Sequence, residues 1–291
     1  MKKRFSIVTC CRSRLQHLKQ SLPTMIAQGA HEVIVVDYGC PEGTAEWVEA
    51  HYPSVKVVWA TDSLGYNASR AKNLGIAAAE SEWICAIDAD GLPLPGWLSW
   101  LDYNIAGGNY AVIANVSKQP ESCGVVVFRR SDFELAGGYD EAIRGWGGDD
   151  VDLFSRFRAL GLKRVGFPNE LLGVISHGHE IRDMAGGLQF LQGKLCARLY
   201  LRAKEGVSID HGHMDVCCRS ALLTQIVDWV REISPEDEAS LFPFRFTRFC
   251  KDCAMRHGTN YQLVMTVQRR MLIGPRRPVV KQTFRPYHHY K

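Results

Sequence analysis

Two clusters of acids mark where this sequence can do chemistry. The segment "IDAD" sets Asp88 and Asp90 at the end of an apolar run, and "RGWGGDDVDLFSRF" places Asp149, Asp150 and Asp152 directly behind a tryptophan and two glycines. Two aspartates one residue apart on an extended chain point to the same side, so both carboxylates can serve one cation or one ribose and metal cluster. Hard oxygen ligands of this kind suit Mn²⁺ or Mg²⁺, and an ion held this way keeps room for substrate phosphates. The plainer alternative is a strand that ends in a polar turn. For the second cluster, acids at a helix start complement the helix dipole. Val151, Phe154, Phe157 and Leu160 then fall at three-residue steps on one face, with Gly161 as the stop and Asp152 as no more than a favourable first-turn charge. That account leaves out Trp146, a large side chain on a loop whose Gly147 and Gly148 permit close approach and unusual dihedrals.

Basic and polar groups stand at similar places. Arg12 and Arg14 follow the first apolar run, where guanidinium groups can grip a diphosphate or edge a base. Asp37, at the end of "VIVVD", either bonds a base or ribose hydroxyl or caps the turn that follows. Arg70 and Lys72 in "LGYNASRAKNLG" either face the same phosphate site or lie as solvated helix charges.

The elements that must position these groups alternate. "FSIVTCC", "EVIVVDYG", "VKVVWA" and "EWICAIDAD" read as strands, separated by helical patterns in "LQHLKQSLPTMIAQ", which Pro23 interrupts, "GTAEWVEAHY" and "SRAKNLGIAAAE". Near-continuous apolar strands alternating with helices predict an α/β fold, a mostly parallel sheet covered on both faces, with ligands beyond the carboxyl ends of the strands. "YAVIANV" and "GVVVFRR" add strands, and beyond about Gly187 the pattern turns to helices with charged faces and no recurring strand signal.

The totals agree with a globular chain. Of 291 residues, 46% are hydrophobic and 23% charged, which excludes a disordered chain. The formal net charge is +4, and "QRRMLIGPRRPVVKQTFRPYHHYK" closes the chain as a basic tail, either solvated or set against an anionic partner. The apolar run in "MKKRFSIVTCCRSR" is shorter than the ~7–15 residues of a leader peptide's core and reads as a first strand. No run approaches the ~18 apolar residues of a membrane span. The expectation is a cytoplasmic protein without a transmembrane segment, with docking at a membrane surface left open. Cys10, Cys11 and Cys85 lie in strand-like runs, where a reduced thiol is a small buried hydrophobe. In "CKDCAMRH", Cys250, Cys253 and His257 have C-x₂-C-x₃-H spacing. With Cys217 and Cys218 they supply donors for a structural Zn²⁺, although the halves match no standard zinc module.

Taken in order, "CRSRLQHLK", "SRAKNLG", "IDAD" and "GWGGDDVD" resemble the motifs of the β-1,4-galactosyltransferase group of GT-A glycosyltransferases, across roughly residues 4 to 180. Cys11 and Ser13 depart from its Phe-Arg-Asn-Arg motif, and Asp149 stands in place of the commoner Glu. The resemblance implies a GT-A, Rossmann-like sheet with a helical C-terminal extension. Residues 1–118 would form a nucleotide-sugar half, 119–187 an acceptor and catalytic half, and 188–291 the extension with its basic tail. Thr9, Arg12, Arg14, Asp37, Arg70 and Asp88 would contact the donor nucleotide. Asp90 would ligate Mn²⁺ (or Mg²⁺) with a downstream histidine, His177 before His179. Trp146, Gly147, Gly148 and Asp149 would meet the acceptor, and Asp150 would be the catalytic base. The implied activity is inverting transfer of a hexose or N-acetylhexosamine, galactose-type first, from a UDP-sugar to a hydroxyl on a glycan or glycolipid. The rivals are a retaining GT-A transferase, against which Asp150 argues because such enzymes tend to carry Asn there, and a transferase or binding protein acting on a peptide or nucleic acid.

Overall fold

The alternating runs of the first half fold as one sheet with helices on both faces. The computed structural model describes residues 2–61, 66–119, 122, 124–144, 147–176, 187–188, 190–211, 214–232, 242–246, 260–269 and 278–287. In chain order these give β1 (Phe5–Cys11), α1 (Leu15–Ile26), β2 (Glu32–Asp37), α2 (Thr44–His51), β3 (Lys56–Trp59), α3 (Ala68–Ala77) and β4 (Trp83–Ala86). There follow β5 (Gly91–Pro93), α4 (Trp97–Asn104), β6 (Asn109–Ile113), β7 (Val126–Arg129), α5 (Arg130–Leu135), α6 (Asp149–Ala159), β8 (Lys163–Phe167) and β9 (Leu172–Val174). Seven strands form the sheet in the order β3-β2-β1-β4-β7-β6-β8. Strands β1 to β4 run parallel, as do β6 and β8, and the antiparallel pairings fall on either side of β7. A separate antiparallel pair, β5 with β9, holds the segment just after Asp90.

Period-2 alternation sends each strand's side chains to two cores. Ile7, Val35 and Cys85 pack with Leu18, Leu22, Val48 and Trp97 on one face. Val8, Ile34, Ile84 and Phe128 pack with Ile76, Leu153 and Phe157 on the other. Helix α1 continues through Pro23 to Ile26, giving up the bond that the missing N–H would have made. Helix α3 begins at Asn67, whose side chain accepts the N–H of Arg70 at 3.0 Å. It then lies hard against the sheet at Gly75, where an added Cβ would stand 2.5 Å from Cγ1 of Val8 and 2.7 Å from Cγ2 of Val36.

The three-residue stripe expected on α6 is corrected by the structure. Val151 and Leu160 are 56% and 47% exposed, and the buried residues are Asp149, Asp152, Leu153 and Phe157. At about 100° per residue, nine positions carry a side chain to the opposite side of the helix, so Val151 and Leu160 cannot share a face. Asp152 is correspondingly more than a first-turn charge. It is buried and pairs with Arg156 at 2.6 Å, and Arg156 donates to the carbonyls of Ala136 and Gly138. Gly161 ends the helix at φ +83°, as its position suggested.

The chain divides into two compact units, one comprising residues 1–141 and 149–181, the other 142–148 and 182–291. In the second, α7 (Phe190–His211) and α8 (Val216–Glu232) bury Leu199, Tyr200, Leu222, Ile226 and Val230 together with Ile143. Beyond them the described residues form strands and no helix. Strands β10 (Phe242–Phe246), β11 (Asn260–Arg269) and β12 (Pro278–Tyr287) form an antiparallel sheet in that order, and β12 lies within the basic tail. Polar residues interrupt "NYQLVMTVQR" and "PVVKQTFRPY", so neither shows the continuous apolar run that marks a fully buried strand.

Because valine side chains of β1 and β2 fill the space over Gly75, Gly75→Ala must displace α3 or the strands. An expected destabilisation of about 1–3 kcal/mol follows, measurable as a lowered melting temperature.

Candidate active site

The strand ends bring most of the first unit's candidate residues together. The chain leaves β1 through Arg12, Ser13 and Arg14. Ser13 holds φ +55°, a left-handed conformation that Asn tolerates better, and Asn is the residue of the resembled motif here. Its N–H faces Sγ of Cys40 at 3.2 Å. Arg12 donates from Nη1 to the Tyr38 carbonyl at 2.9 Å, and Arg14 stands 3.7 Å from Oδ2 of Asp90. Asp37 is buried with both oxygens engaged, Oδ1 by the N–H of Cys40 at 2.7 Å and Oδ2 by the N–H of Ala45 at 2.8 Å. It caps the turn and helix that follow, the second of its two expected roles. Thr9 is also fully buried, and its Oγ1 has no partner among the described residues. Arg70 turns to Glu141 at 3.3 Å and stays half exposed.

The acids converge on Lys72, which the sequence offered only as a phosphate-facing or a solvated helix charge and not as a partner of the acids. Nζ of Lys72 donates to Oδ2 of Asp149 at 3.0 Å and Oδ1 of Asp150 at 3.2 Å, and lies 3.6 Å from Oδ1 of Asp88. Tyr139 offers its ring 5.0 Å beneath the ammonium, and its buried hydroxyl has no partner among the described residues. The signal lay in α3's periodicity. Ser69, Lys72 and Ile76 are buried at i, i+3 and i+7, so Lys72 occupies the stripe a core residue would take. Asn73 fixes the loop before the second acid cluster. It donates to the Tyr139 carbonyl at 3.0 Å and to Glu141 at 2.9 Å, and accepts from the Tyr139 N–H at 2.8 Å.

Burial and like charge dominate the electrostatics. Asp150 is pushed up to about 8, first by burial and then by the charge of Asp149, against the pull of Lys72. Asp88 is raised for the same first reason. Burial alone would lower Lys72, but Asp149, Asp150 and Asp88 hold it well above the usual lysine value. Burial also pushes the Cys11 thiol up to about 12, which suits an inert core thiol.

The residues present fit a divalent cation. Asp88 and Asp90 supply hard oxygen donors at one strand end, and the Asp88 side chain is 41% exposed. A cradle lies beside them. A Cβ on Gly124 would stand 2.2 Å from Oδ2 of Asp88 and 3.3 Å from Oδ2 of Asp150, so only glycine leaves that space open. The proposed histidine ligands His177 and His179 lie outside the described residues, as do Trp146 and, for the zinc, Cys250, Cys253 and His257. Cys217 and Cys218 are adjacent on α8 and form no disulfide among the described residues, and the first is exposed. Among the described residues no group of His, Cys, Asp and Glu supports the zinc.

Gly147 and Gly148 belong to the second unit and hold φ of +96° and +100°, conformations that call for glycine. A Cβ on Gly148 would meet Ala197 of α7 at 3.3 Å. Beside them a cavity of about 10 Å³, lined by Ile143, Cys196 and Tyr200 among others, has room for one water and no more.

A mostly parallel seven-stranded sheet flanked by helices is the GT-A, Rossmann-like fold, and solved glycosyltransferase structures share it. The mannosyltransferase PcManGT from Pyrobaculum calidifontis in complex with GDP-Man and Mn²⁺ has a TM-score of 0.52 at 14% identity, covering 79% of this chain and 74% of its own. S. aureus TarS 1-349 in complex with UDP-GlcNAc has a TM-score of 0.53 at 12% identity, covering 78% and 71%. The catalytic domain of Drosophila β1,4-galactosyltransferase 7 with xylobiose is 22% identical over 67% of this chain and 79% of its own, with a TM-score of 0.49, a likeness too weak to argue from.

The family profile described as glycosyl transferase family 2 matches residues 6–160, and the chain belongs to that family. A pre-mycofactocin glycosyltransferase of Mycobacterium tuberculosis is 26% identical over 201 residues, 55% of this chain and 41% of the relative. The chain therefore spans about two fifths of the length of the curated relatives it matches. Among the described residues no helix is long and apolar enough to cross a membrane.

Two outcomes follow from the site's geometry and charge. Gly124→Ala should abolish turnover while changing the melting temperature little, since its methyl group displaces the Asp88 carboxylate rather than the core. An acid raised from 3.8 to about 8 on folding binds its proton more tightly in the folded state. Its contribution to stability is therefore full below pH 4 and lost as pH climbs through 8. Asp150→Asn removes that loss, so the variant should melt a few degrees above the parent at pH 8, with the gap closing toward pH 4.

Proposed function

We propose that this glycosyltransferase moves a hexose or N-acetylhexosamine, galactose-type first, from a UDP-sugar to an acceptor hydroxyl with inversion at the anomeric carbon. One observation carries the reading. Asp88, the acid of the donor side, and the Asp149–Asp150 pair of the acceptor side meet within 3.6 Å of a single ammonium. Their convergence suits a reaction in which leaving group and nucleophile act across one carbon.

In this reading Arg12, Arg14 and Arg70 receive the nucleotide and its diphosphate, and Asp88 lies by the ribose. Asp90 holds Mn²⁺ with Asp88 beside it, His177 serving as a further ligand, and the ion when bound neutralises charge gathering on the departing diphosphate. Asp149 orients the acceptor hydroxyl. Asp150 takes its proton as the new bond forms, a contribution of about 10²–10⁴-fold for a general base. Trp146, Gly147 and Gly148 are assigned to the donor sugar and acceptor. A glycan or glycolipid is the favoured acceptor. The Mycobacterium tuberculosis relative is named for pre-mycofactocin, which belongs in any acceptor panel.

Incubation with a panel of UDP-sugars and GDP-mannose in Mn²⁺ should release nucleotide diphosphate from one UDP-sugar above the others, with EDTA abolishing it. Release from GDP-mannose alone would reject the donor class. Asp150→Asn should lose transfer at least about 100-fold while keeping donor binding. A product that retains the donor's anomeric configuration would reject inversion.

A further inference from the structure

The reaction just described gives no task to Lys72. Its side chain is only 9% exposed, and among the described residues it is the one cation paired with Asp88, Asp149 and Asp150. An ammonium carries three N–H bonds, and this one sits among three carboxylates with the Tyr139 ring on its remaining side. Which oxygens it touches is the informative detail. From both Asp88 and Asp150 it takes Oδ1, and the Oδ2 atoms of both are the ones that crowd the space over Gly124.

We propose that Lys72 is a positioning residue. Its ammonium is a resident cation that ties the donor-side acid to the acceptor-side pair and turns the second oxygens of Asp88 and Asp150 toward the gap at Gly124. This rests on the reading that Asp88 serves the donor and Asp150 is the base. The three carboxylates come from two separate stretches, the end of β4 and the start of α6, and α3 supplies the charge that holds them at one point. Without it, like charges separate. A lysine suits the task because one compact charge can meet oxygens from three directions, whereas the planar fork of arginine cannot.

The test compares the parent with Lys72→Met and Lys72→Arg, using Mn²⁺ alone as the first probe. Deprived of their cation, the carboxylates of Lys72→Met should recruit one, so millimolar Mn²⁺ raises its melting temperature by at least about twice the shift seen in the parent. Lys72→Arg, with the charge restored, should respond to Mn²⁺ as the parent does. In transfer assays both variants should lose kcat by about 100-fold or more while the donor KM moves only a few-fold. A parental Mn²⁺ response and parental turnover in Lys72→Met would overturn the proposal. So would a loss of folding that neither Mn²⁺ nor Lys72→Arg relieves, which would assign the side chain to packing. The Mn²⁺ response needs neither donor nor acceptor. Retained transfer in Asp150→Asn therefore counts against the base assignment alone, and an unresponsive Lys72→Met counts against Lys72 alone.

Discussion

An ammonium buried among three carboxylates is the constraint around which the first unit is organised. Two opposite charges at 4 Å attract by roughly 4 kcal/mol at an effective dielectric of 20, whereas removing an ion from water costs several kcal/mol. Three such attractions offset the burial of one lysine. They do not also offset the burial of Asp149 and Asp150 and the repulsion of all three acids for one another. The balance therefore leaves the acids under-compensated, which is why Asp150 and Asp88 are raised while Lys72 is held charged. A site short of positive charge is a site built to receive some, and the exposed side of Asp88 is where a cation can arrive.

Much of the surrounding scaffold serves this arrangement. Gly75 lets α3 approach the sheet, Asn73 pins the Tyr139 loop to α3, and Asp152 with Arg156 ties α6 to the turn at Ala136 and Gly138. The three acids of "DDVD" thus divide by burial partner. Two face the ammonium of Lys72, and the third faces the guanidinium of Arg156. The crowding of negative charge that looks unfavourable in the sequence is relieved by two cations, each on a different side of the helix start.

Strand identity and the placement of Asp88 and Asp90 were legible because buried parallel strands leave continuous apolar runs whose ends are obvious. The motif order carried the family-level resemblance, and the membership in family 2 agrees with it at that level. Asp37 was legible only as a choice, because whether its carboxylate caps a turn depends on where the N–H groups of Cys40 and Ala45 come to lie. Lys72 was legible only as a choice between a phosphate-facing and a solvated charge, because a lysine on an amphipathic helix ordinarily points to water, and only a count of its phase against Ser69 and Ile76 shows it buried. The C-terminal strands were missed because polar and basic residues break their apolar pattern.

The division of the chain has a consequence for how such an enzyme can diversify. Residues 142–148 leave the first unit, join the second through Ile143 and Gly148, and return at Asp149 as the first residue of α6. A C-terminal unit exchanged for another at residue 182 would arrive without the seven residues that belong to it, and the recipient's own loop would keep an isoleucine with no core to enter. Recombination at that boundary is therefore penalised. The two units are bound to change together at residues 142–148, where the chain of one carries a piece of the other.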